Sequence, residues 1–364
     1  MTKRDSNILK CVAILLMLAH HLFMYADQPD FPALVYGPLL NTPERLAAFG
    51  QLSKLCVTIF VFVTAYGTTM SYRGDGMEDD RAIMAISTRR WVKLLLSFQL
   101  VYLIAFVLCP LGGKSWFTLY SPSRLENIFF ALVDFLGLSY IIGTPSYNSA
   151  WWYMSLAVTL VLTLPWLIKL CRRGGFFLLL PGLMAVRWVK VEFAFFRYFL
   201  IVLLGVLLAE YGVVERIRAW YEKTKLPLKL LAILFCLLLI REVSVLWLRA
   251  RGGLMDIYEA LLCLQVCFLT LVTIARIPVV NSAAEFIGRH SMNIYFFHAF
   301  IYEKWFYDFT YSLRYPVLIF LFLLGSSLLF SILVEELKKL LHFDRLVARL
   351  SDWACRLLLP KETV

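Results

Sequence analysis

Residues 8–24 read ILKCVAILLMLAHHLFM, the first of several long apolar runs in the chain. It is apolar along its length except for Lys10 near its start and His20 and His21 near its end. A helix needs about 20 mostly apolar residues to cross the hydrocarbon core of a bilayer, which is roughly 30 Å thick. Runs of the same kind recur along the chain between short breaks that contain charges, Gly or Pro. The sequence therefore predicts an all-α integral membrane protein.

The overall composition excludes a water-soluble enzyme. Of the 364 residues 61% are hydrophobic and only 17% are charged, and the mean hydropathy is +0.74. A soluble domain is about half apolar and about one quarter charged. The formal net charge is +11, but the basic residues flank the apolar runs instead of forming one patch. This distribution is typical of membrane topology signals, and no nucleic-acid partner is expected.

The apolar runs predict about ten transmembrane helices. The predicted spans are 8–25, 52–71, 92–109, 151–168, 175–190, 194–211, 229–248, 257–275, 292–310 and 316–337. The chain contains 36 Lys and Arg residues. Roughly two thirds of them fall on the side that holds both chain ends, so the N and C termini are predicted to be cytoplasmic.

Two segments are predicted to lie along the membrane instead of across it. Residues 125–142 are apolar but contain Glu126 and Asp134, which favours an interfacial or re-entrant helix on the outer side. In the tail, leucines and arginines alternate at helical spacing, as in Arg345, Leu346 and Arg349. This pattern predicts a basic amphipathic helix on the cytoplasmic surface, with a solvated helix end as the alternative. The domain prediction is one transmembrane domain, 1–340, and a cytoplasmic amphipathic tail, 341–364.

The histidines of the first helix are the strongest candidates for chemistry. An ionisable side chain within a bilayer costs free energy unless it is paired or wetted, so it often marks a site. An imidazole titrates near neutral pH and can take a proton from a hydroxyl, which is the task of a general base. His20 and His21 point about 100° apart, so at most one is expected to face a site. The alternative is a polar side chain satisfied by a neighbouring helix.

Three further motifs contain candidate site residues, and each motif also has a structural explanation. Arg90 and Lys93 share a helix face suited to phosphate binding, although they also fit cytoplasmic anchoring. Three consecutive aromatic residues, Trp151 to Tyr153, suit stacking on a sugar acceptor, although an interfacial aromatic belt would look the same. In the ninth span His298 is a second candidate site residue or a hydrogen-bonding group between helices. No disulfide framework and no metal site are predicted.

Several of these motifs together resemble the acyltransferase 3 family of membrane-bound O-acyltransferases. The family's first helix has a basic residue, ten intervening residues and a His, which here are Lys10 and His21. Its basic pair is similar to Arg90 and Lys93. Its Trp-containing helix start resembles residues 151–154, and its C-terminal pattern is similar to Gly288, Ser291, Tyr295 and His298. The sequence departs from the family where Lys10 and Lys93 stand in place of the usual Arg, and where Thr64 and Ala65 precede Tyr66 in place of the frequent Ser-Gly.

The resemblance implies a function and a set of partners. It implies transfer of an acetyl or similar acyl group from cytoplasmic acyl-CoA to a hydroxyl of a cell-surface polysaccharide or its lipid-linked precursor, in the inner membrane of a bacterium. His21 is then the catalytic residue, and Lys10, Arg90 and Lys93 bind the donor. Possible supporting or acceptor-side residues are His20, Trp151, Trp152, Tyr153, Ser291, Tyr295 and His298. No bound cofactor is expected, because acetyl-CoA or another acyl-CoA acts as the donor substrate.

Two other classes of protein share the need for polar groups at membrane depth. One is a transporter or flippase for a lipid-linked glycan, for which helix-breaking Gly/Pro pairs would be expected at corresponding positions of two repeated halves. The other is a glycan polymerase, for which a long outer loop or a paired-acid motif would be expected. Neither signature is found in the sequence, which favours acyl transfer.

Overall fold

The structure is a computed structural model that describes residues 1–38, 40–73, 80–188, 194–249 and 254–359. Within these ranges the chain is helical and contains no β-strand. This confirms the all-α prediction. Helices suit such an apolar chain because each one satisfies its backbone hydrogen bonds internally, without help from water.

Eighteen α-helices follow one another along the described residues. They are α1 (Lys3–Phe23), α2 (Pro43–Leu52), α3 (Leu55–Arg73), α4 (Asp80–Val107), α5 (Arg124–Phe135), α6 (Ser139–Ile142), α7 (Trp152–Gly174), α8 (Leu179–Trp188), α9 (Ala194–Arg197), α10 (Phe199–Glu210), α11 (Val213–Lys223), α12 (Leu226–Arg249), α13 (Met255–Val272), α14 (Pro278–Arg289), α15 (Ser291–Ala299), α16 (Tyr307–Ser312), α17 (Pro316–Leu340) and α18 (Phe343–Leu358). A π-helical segment, Phe300–Trp305, joins α15 to α16.

Seven helical stretches in the described residues are long and apolar enough to cross a membrane. They are Lys3–Phe23, Pro43–Tyr72, Arg81–Val107, Ser149–Met184, Leu226–Arg249, Met255–Arg276 and Pro316–Leu340. Six of the ten predicted spans correspond to one stretch each. The protein is therefore a multi-pass membrane protein, while the number of ten spans and the cytoplasmic placement of both termini remain predictions.

The other four predicted spans differ from the observed helices in length. The span 151–168 and most of the span 175–190 lie in one continuous stretch, Ser149–Met184, because only a short 3-10 turn separates α7 from α8. Residues 189 and 190 of the second span lie outside the described residues. The span 194–211 contains α10, which has 12 residues. The span 292–310 is divided among α15, the π segment and α16. Apolar composition located these segments, but local breaks in the helices set their lengths.

Helix α4 begins earlier than the sequence predicted. The predicted span starts at residue 92, whereas α4 starts at Asp80 and has 28 residues. Residues 80–91 include no Gly or Pro, so nothing in them stops a helix from continuing beyond its apolar part. Arg90 and Lys93 therefore lie within the helix and not at its start.

The chain forms two compact units. The first consists of Met1–Gly74 and Trp166–Ser291, and the second of Asp75–Pro165 and Met292–Val364. The boundary within α7 falls at Pro165, a residue that removes a hydrogen bond from the helix interior. In the first unit α1 packs against α2, α3, α13 and α14, and α3 packs against α10.

Two glycines allow α1 to approach its neighbours closely. A Cβ atom at Gly50 of α2 would lie 2.6 Å from the Met24 backbone nitrogen, just after the end of α1. A Cβ atom at Gly288 of α14 would overlap the Asn7 carbonyl oxygen. Because both obstacles are backbone atoms, no side-chain rotation would relieve the clash. Gly288 thus serves a close helix contact, since α14 continues to Arg289.

The second unit has an aromatic core built from α4, α7, α15 and the π segment. Its fully buried rings include Phe98, Phe296 and Phe300. Helix α18 packs against α4, where Arg89 forms an ion pair with Asp352 at 3.4 Å and Arg81 donates to the Leu359 carbonyl at 2.8 Å. The tail is thus helical from Phe343 to Leu358, while its position on the cytoplasmic surface remains a prediction.

Candidate active site

Helix α1 carries Lys10 and His21 on one face. The helix is continuous from Lys3 to Phe23, and a capping box between Thr2 and Asp5 closes its first turn. Eleven residues of α-helix make three turns plus about 20°, so the two side chains point in nearly the same direction. Their separation along the axis is about 16 Å. A rigid helix therefore holds a cation and an imidazole at a set distance.

His20 has a structural role at the C-terminal end of α1. Its side chain is buried, and its Nδ1 donates a hydrogen bond to the Gly50 carbonyl oxygen at 2.8 Å. The close approach of α2 that Gly50 permits brings this carbonyl within reach. The structural alternative, a polar side chain satisfied by a neighbouring helix, thus describes His20. This observation favours His21 as the residue that faces a substrate.

His21 is only half-buried, in contrast to its neighbour. Its ring stands edge-on to the His20 ring, with the centroids 5.2 Å apart and the planes at 68°. An imidazole that keeps some exposure can exchange protons and meet a substrate hydroxyl, provided that its orientation is held. The contact with the anchored His20 ring helps to hold that orientation.

The predicted donor-binding residues of α4 lie one turn apart. Arg90 is half-buried, and Lys93 is exposed. The adjacent Arg89 points differently and pairs with Asp352 of α18. Arg90 and Lys93 belong to the second unit, whereas Lys10 and His21 belong to the first. A shared donor site made of Lys10, Arg90 and Lys93 therefore stays a prediction.

The motif at the start of α7 is brought together with the motif in α15. The Tyr295 hydroxyl donates to the Ala150 carbonyl at 2.7 Å, and the Trp151 indole N–H donates to the Phe296 carbonyl at 3.2 Å. The Tyr153 and Tyr295 rings meet nearly at right angles, with 5.6 Å between centroids. The buried Trp151 is part of the core, so stacking on a sugar remains a prediction only for the half-buried Trp152 and Tyr153.

His298 is fully buried in the same part of the second unit. Its Nδ1 donates to the Tyr295 carbonyl oxygen at 2.7 Å, and its ring stacks on Tyr302 at 18° between planes. Both contacts are to residues of the same helical segment, so the two alternatives for His298, a site residue or a hydrogen bond between helices, both stay predictions. Ser291, the first residue of α15, is also buried.

Sequence reasoning left one charged cluster of the first unit without a role. Arg197 Nη2 lies 2.7 Å from Glu259 Oε1, and the Trp247 indole N–H points to the same oxygen at 3.4 Å. Glu259 is only 4% exposed. Because residues 197 and 259 are far apart in the sequence, no local pattern predicts their contact. The only signal was their occurrence in apolar surroundings, where charged groups are costly.

Asp134 is a second polar centre with no role assigned from sequence. Its carboxylate accepts hydrogen bonds from the hydroxyls of Ser139, Ser146 and Tyr120, and from the Tyr147 backbone N–H, all at 2.7 to 2.8 Å. Burial raises the pKa of Asp134, although these hydrogen bonds act in the opposite direction. The carboxylate ties α5 to the loop that leads into α7.

The fold is that of a multi-pass helical membrane protein with ionisable side chains, such as His21, in its candidate spans. The chain belongs to the acyltransferase 3 family, whose model, described as an acyltransferase domain, matches residues 4–336. Comparison with curated proteins and with solved structures gives no significant match. Membership of this family identifies the protein as a membrane acyltransferase. In the described residues no group of three or more His, Cys, Asp or Glu is placed to hold a metal ion.

Proposed function

We propose that the protein transfers an acetyl group from cytoplasmic acetyl-CoA to a hydroxyl of a cell-surface polysaccharide or its lipid-linked precursor, at the inner membrane of a bacterium. The observation that carries the proposal is the pair Lys10 and His21 on one face of α1, about 16 Å apart along the axis. This distance suits the extended pantetheine arm of CoA, which separates the phosphates from the thioester. Family membership supplies the acyl-transfer chemistry.

In the proposed reaction His21 acts as the general base. Its neutral imidazole takes the proton of the acceptor hydroxyl while the hydroxyl oxygen attacks the thioester carbonyl carbon. A C–O bond forms, and the carbonyl electrons move to oxygen. When the tetrahedral adduct collapses, the C–S bond breaks and the sulfur leaves as a thiolate. The imidazolium returns its proton to that thiolate, so the enzyme ends the cycle unchanged.

The donor side of the proposal uses the cations of α1 and α4. Lys10, Arg90 and Lys93 would bind the CoA phosphates through charge-assisted hydrogen bonds. Arginine binds phosphate through a planar fork, whereas lysine offers a point charge. Arg90 is therefore expected to contribute more to donor affinity than either lysine.

A transient acyl-imidazole on His21 is the competing mechanism. In that case the His21 nitrogen attacks the thioester, CoA leaves first, and the acceptor hydroxyl then attacks the acyl-imidazole. This order predicts release of CoA before any acceptor is added. Direct transfer predicts that release depends on acceptor.

The first test measures free CoA released from acetyl-CoA by membranes that contain the protein and envelope glycans. We expect glycan-dependent release by the wild type and loss of release by His21→Ala, roughly 10²- to 10⁴-fold, because general-base catalysis is removed. His20→Ala is the matched control, since it removes an adjacent imidazole whose contact is structural. It should lower thermal stability and reduce activity per folded molecule far less than His21→Ala does, because the ring contact that orients His21 is lost but the base itself remains.

Two results would overturn the proposal. One is equal CoA release by the wild type and His21→Ala. The other is failure of the purified protein to bind acetyl-CoA, which would move transport of a lipid-linked glycan to first place.

The donor site is tested with Arg90→Ala and its neighbour Arg89→Ala. Loss of a charge-assisted phosphate contact costs about 1.5–3 kcal/mol, so the Michaelis constant for acetyl-CoA should rise roughly 10- to 100-fold in Arg90→Ala. Arg89→Ala should leave it unchanged, because Arg89 pairs with Asp352. Equal effects of the two substitutions would contradict the assignment of Arg90.

A further inference from the structure

The first unit contains a cavity of about 380 Å³ that the proposed reaction does not use. It lies among α1, α3, α10, α11 and α13, and most of its wall is apolar, including Phe62, Leu208, Leu264, Phe268 and Leu271. Pockets that bind small molecules have volumes of about 300–1,000 Å³ and mostly apolar walls. A sugar or a nucleotide would leave polar groups unpaired against such walls. The cavity therefore suits a hydrocarbon chain.

The cavity lies on the opposite side of α1 from the candidate active site. The α1 residue in its wall is Asp5, in the first turn of the helix. Sixteen residues of α-helix make four turns plus about 160°, so Asp5 and His21 point in nearly opposite directions. Five residues make one turn plus about 140°, so Asp5 also points away from Lys10. A ligand in the cavity would thus leave the face proposed for acyl transfer unoccupied.

Helix α11, which forms one wall of the cavity, lies at a membrane face. Arg218 Nη1 lies 3.0 Å from Asp5 Oδ2, at the start of α1. Glu222 Oε1 lies 3.3 Å from Arg276 Nη2, just beyond the end of α13. Helix α12 begins soon after α11 ends. Because α1, α12 and α13 all belong to candidate spans, three spans end beside α11, where hydrocarbon meets lipid headgroups.

One face of α11 carries exposed apolar side chains next to cations. Ile217 and Trp220, about one turn apart, are 44% and 52% exposed. Arg216 and Lys223 follow one edge of this face, two turns apart, and both are exposed. A helix of this kind lies in the interface with its apolar face in the hydrocarbon and its cations at lipid phosphates. Ile217 also lines the cavity, so the cavity adjoins the lipid-facing side of α11.

We propose that the cavity binds one acyl chain of an anionic membrane phospholipid, whose headgroup is held by Arg216 and Lys223. Burial of the chain removes apolar surface from water and headgroups, and the two cations form charge-assisted hydrogen bonds with the phosphate. The bound chain would join α11 to the start of α1, the helix that carries His21. Binding of this lipid does not depend on the proposed acyl transfer.

The binding is tested by photochemical cross-linking of the full-length protein in detergent micelles. Phosphatidylglycerol with a diazirine in one acyl chain is titrated in, and the cross-linked residues are identified by mass spectrometry after irradiation. We expect cross-links on Leu264 and Phe268 that saturate with lipid concentration. Cross-links on Leu234 and Leu238, exposed residues of α12 outside the cavity, should keep rising. Absence of cross-links in the cavity, or their rise without saturation, would overturn the proposal.

Two matched substitutions in α13 test whether the cavity itself is the site. Leu264→Trp places a larger side chain in the cavity, whereas Leu261→Trp makes the same change at an exposed position outside it. A ligand that binds the folded state raises the unfolding temperature. Phosphatidylglycerol should therefore stabilise the wild type and Leu261→Trp but not Leu264→Trp, in which the saturable cross-links on Phe268 should also disappear. Equal stabilisation of the two variants would contradict binding in the cavity.

The headgroup contact is tested at the surface, without disturbing the cavity. In the wild type, half-saturation should need about tenfold less phosphatidylglycerol than phosphatidylcholine with the same chains, the effect of one charged hydrogen bond. Lys223→Gln should raise the half-saturating concentration of phosphatidylglycerol by a similar factor. Lys114→Gln, which changes an exposed lysine of the second unit, should leave it unchanged. Equal half-saturation by the two lipids, or no effect of Lys223→Gln, would refute an anionic lipid as the ligand.

Discussion

The two histidine-bearing regions of the molecule differ in what surrounds the imidazole. At the end of α1, His21 is half-buried beside a His20 ring that is anchored to the Gly50 backbone. In α15, His298 is fully buried, bonded to its own helix and stacked on Tyr302. A base needs access to a proton donor and a polar setting, whereas a group that joins helices needs neither. From this contrast in surroundings we expect His21 to be the reactive histidine and His298 to have a structural role.

The largest expected effect is the loss of activity when His21 is replaced, compared with the same replacement of His298. His21→Phe should lower kcat roughly 10²- to 10⁴-fold, because the ring persists but the proton acceptor is lost. His298→Phe keeps an aromatic ring in the stack and should leave kcat near the wild-type value. The measurement is acetyl-CoA turnover per folded molecule for both variants. A comparable loss of kcat in His298→Phe would show that both histidines take part in the chemistry.

The second-largest expected effect is on stability, and it comes from the close packing of α1 against α14. Gly288→Ala should destabilise the protein by about 3 kcal/mol, because its Cβ would overlap the Asn7 carbonyl oxygen and push α14 from α1. Gly67→Ala in α3 is the control, since no atom lies within 4 Å of a Cβ there. Thermal unfolding in detergent should show a loss for the first variant and a small gain for the second. Equal stability of the two would contradict the close helix contact.

The hydrogen bonds to Asp134 in the second unit are expected to contribute somewhat less to stability than the contact between α1 and α14. Asp134→Ala leaves four buried donors without their acceptor and should cost about 2 kcal/mol of stability. Because these donors support the loop that leads into α7, proteolysis of residues 116–147 should accelerate. The control is Asp308→Ala, a substitution of an exposed carboxylate in α16. Unchanged proteolysis of Asp134→Ala would show that the loop is held by other contacts.

The smallest expected effect is a pH dependence of stability from the same carboxyl group. Burial raises the pKa of Asp134 in the folded protein, so the folded state retains a proton that the unfolded state has lost. The stabilisation is full below the ordinary Asp pKa, near 4, and is lost as the pH rises through the raised value. Unfolding temperatures across this window should fall with rising pH in the wild type. Asp134→Asn should remove this part of the fall.

The architecture was largely predictable because lipid leaves few solutions for an apolar chain. Six of the ten predicted spans match single helical stretches. In lipid a run of about 20 apolar residues forms a helix because only then are its backbone hydrogen bonds satisfied internally. The continuation of α7 through a 3-10 turn into α8 was not predicted, because the charges and glycines of residues 169–175 resemble the short breaks that separate other apolar runs. The early start of α4 was missed because a helix can continue after its apolar part ends.

The candidate site was only partly predictable. Lys10 and His21 are separated by ten intervening residues of one helix, so helix geometry alone places both on one face. By contrast, the pairing of Arg197 with Glu259 joins residues 62 positions apart. Nothing in the residues near either position indicates the other.

By itself the sequence determined that the protein is helical, crosses a membrane several times and carries the spacing of its family in the first helix. These properties depend on composition and on separations within one helix, which the 3.6-residue repeat converts directly into geometry. Only the packing of the helices determined that the His20 ring donates to the Gly50 carbonyl, that His298 is buried beside aromatic rings and that Arg197 pairs with Glu259. Each of these depends on which helices touch, and helix contacts depend on the packing of side chains that are distant in the chain.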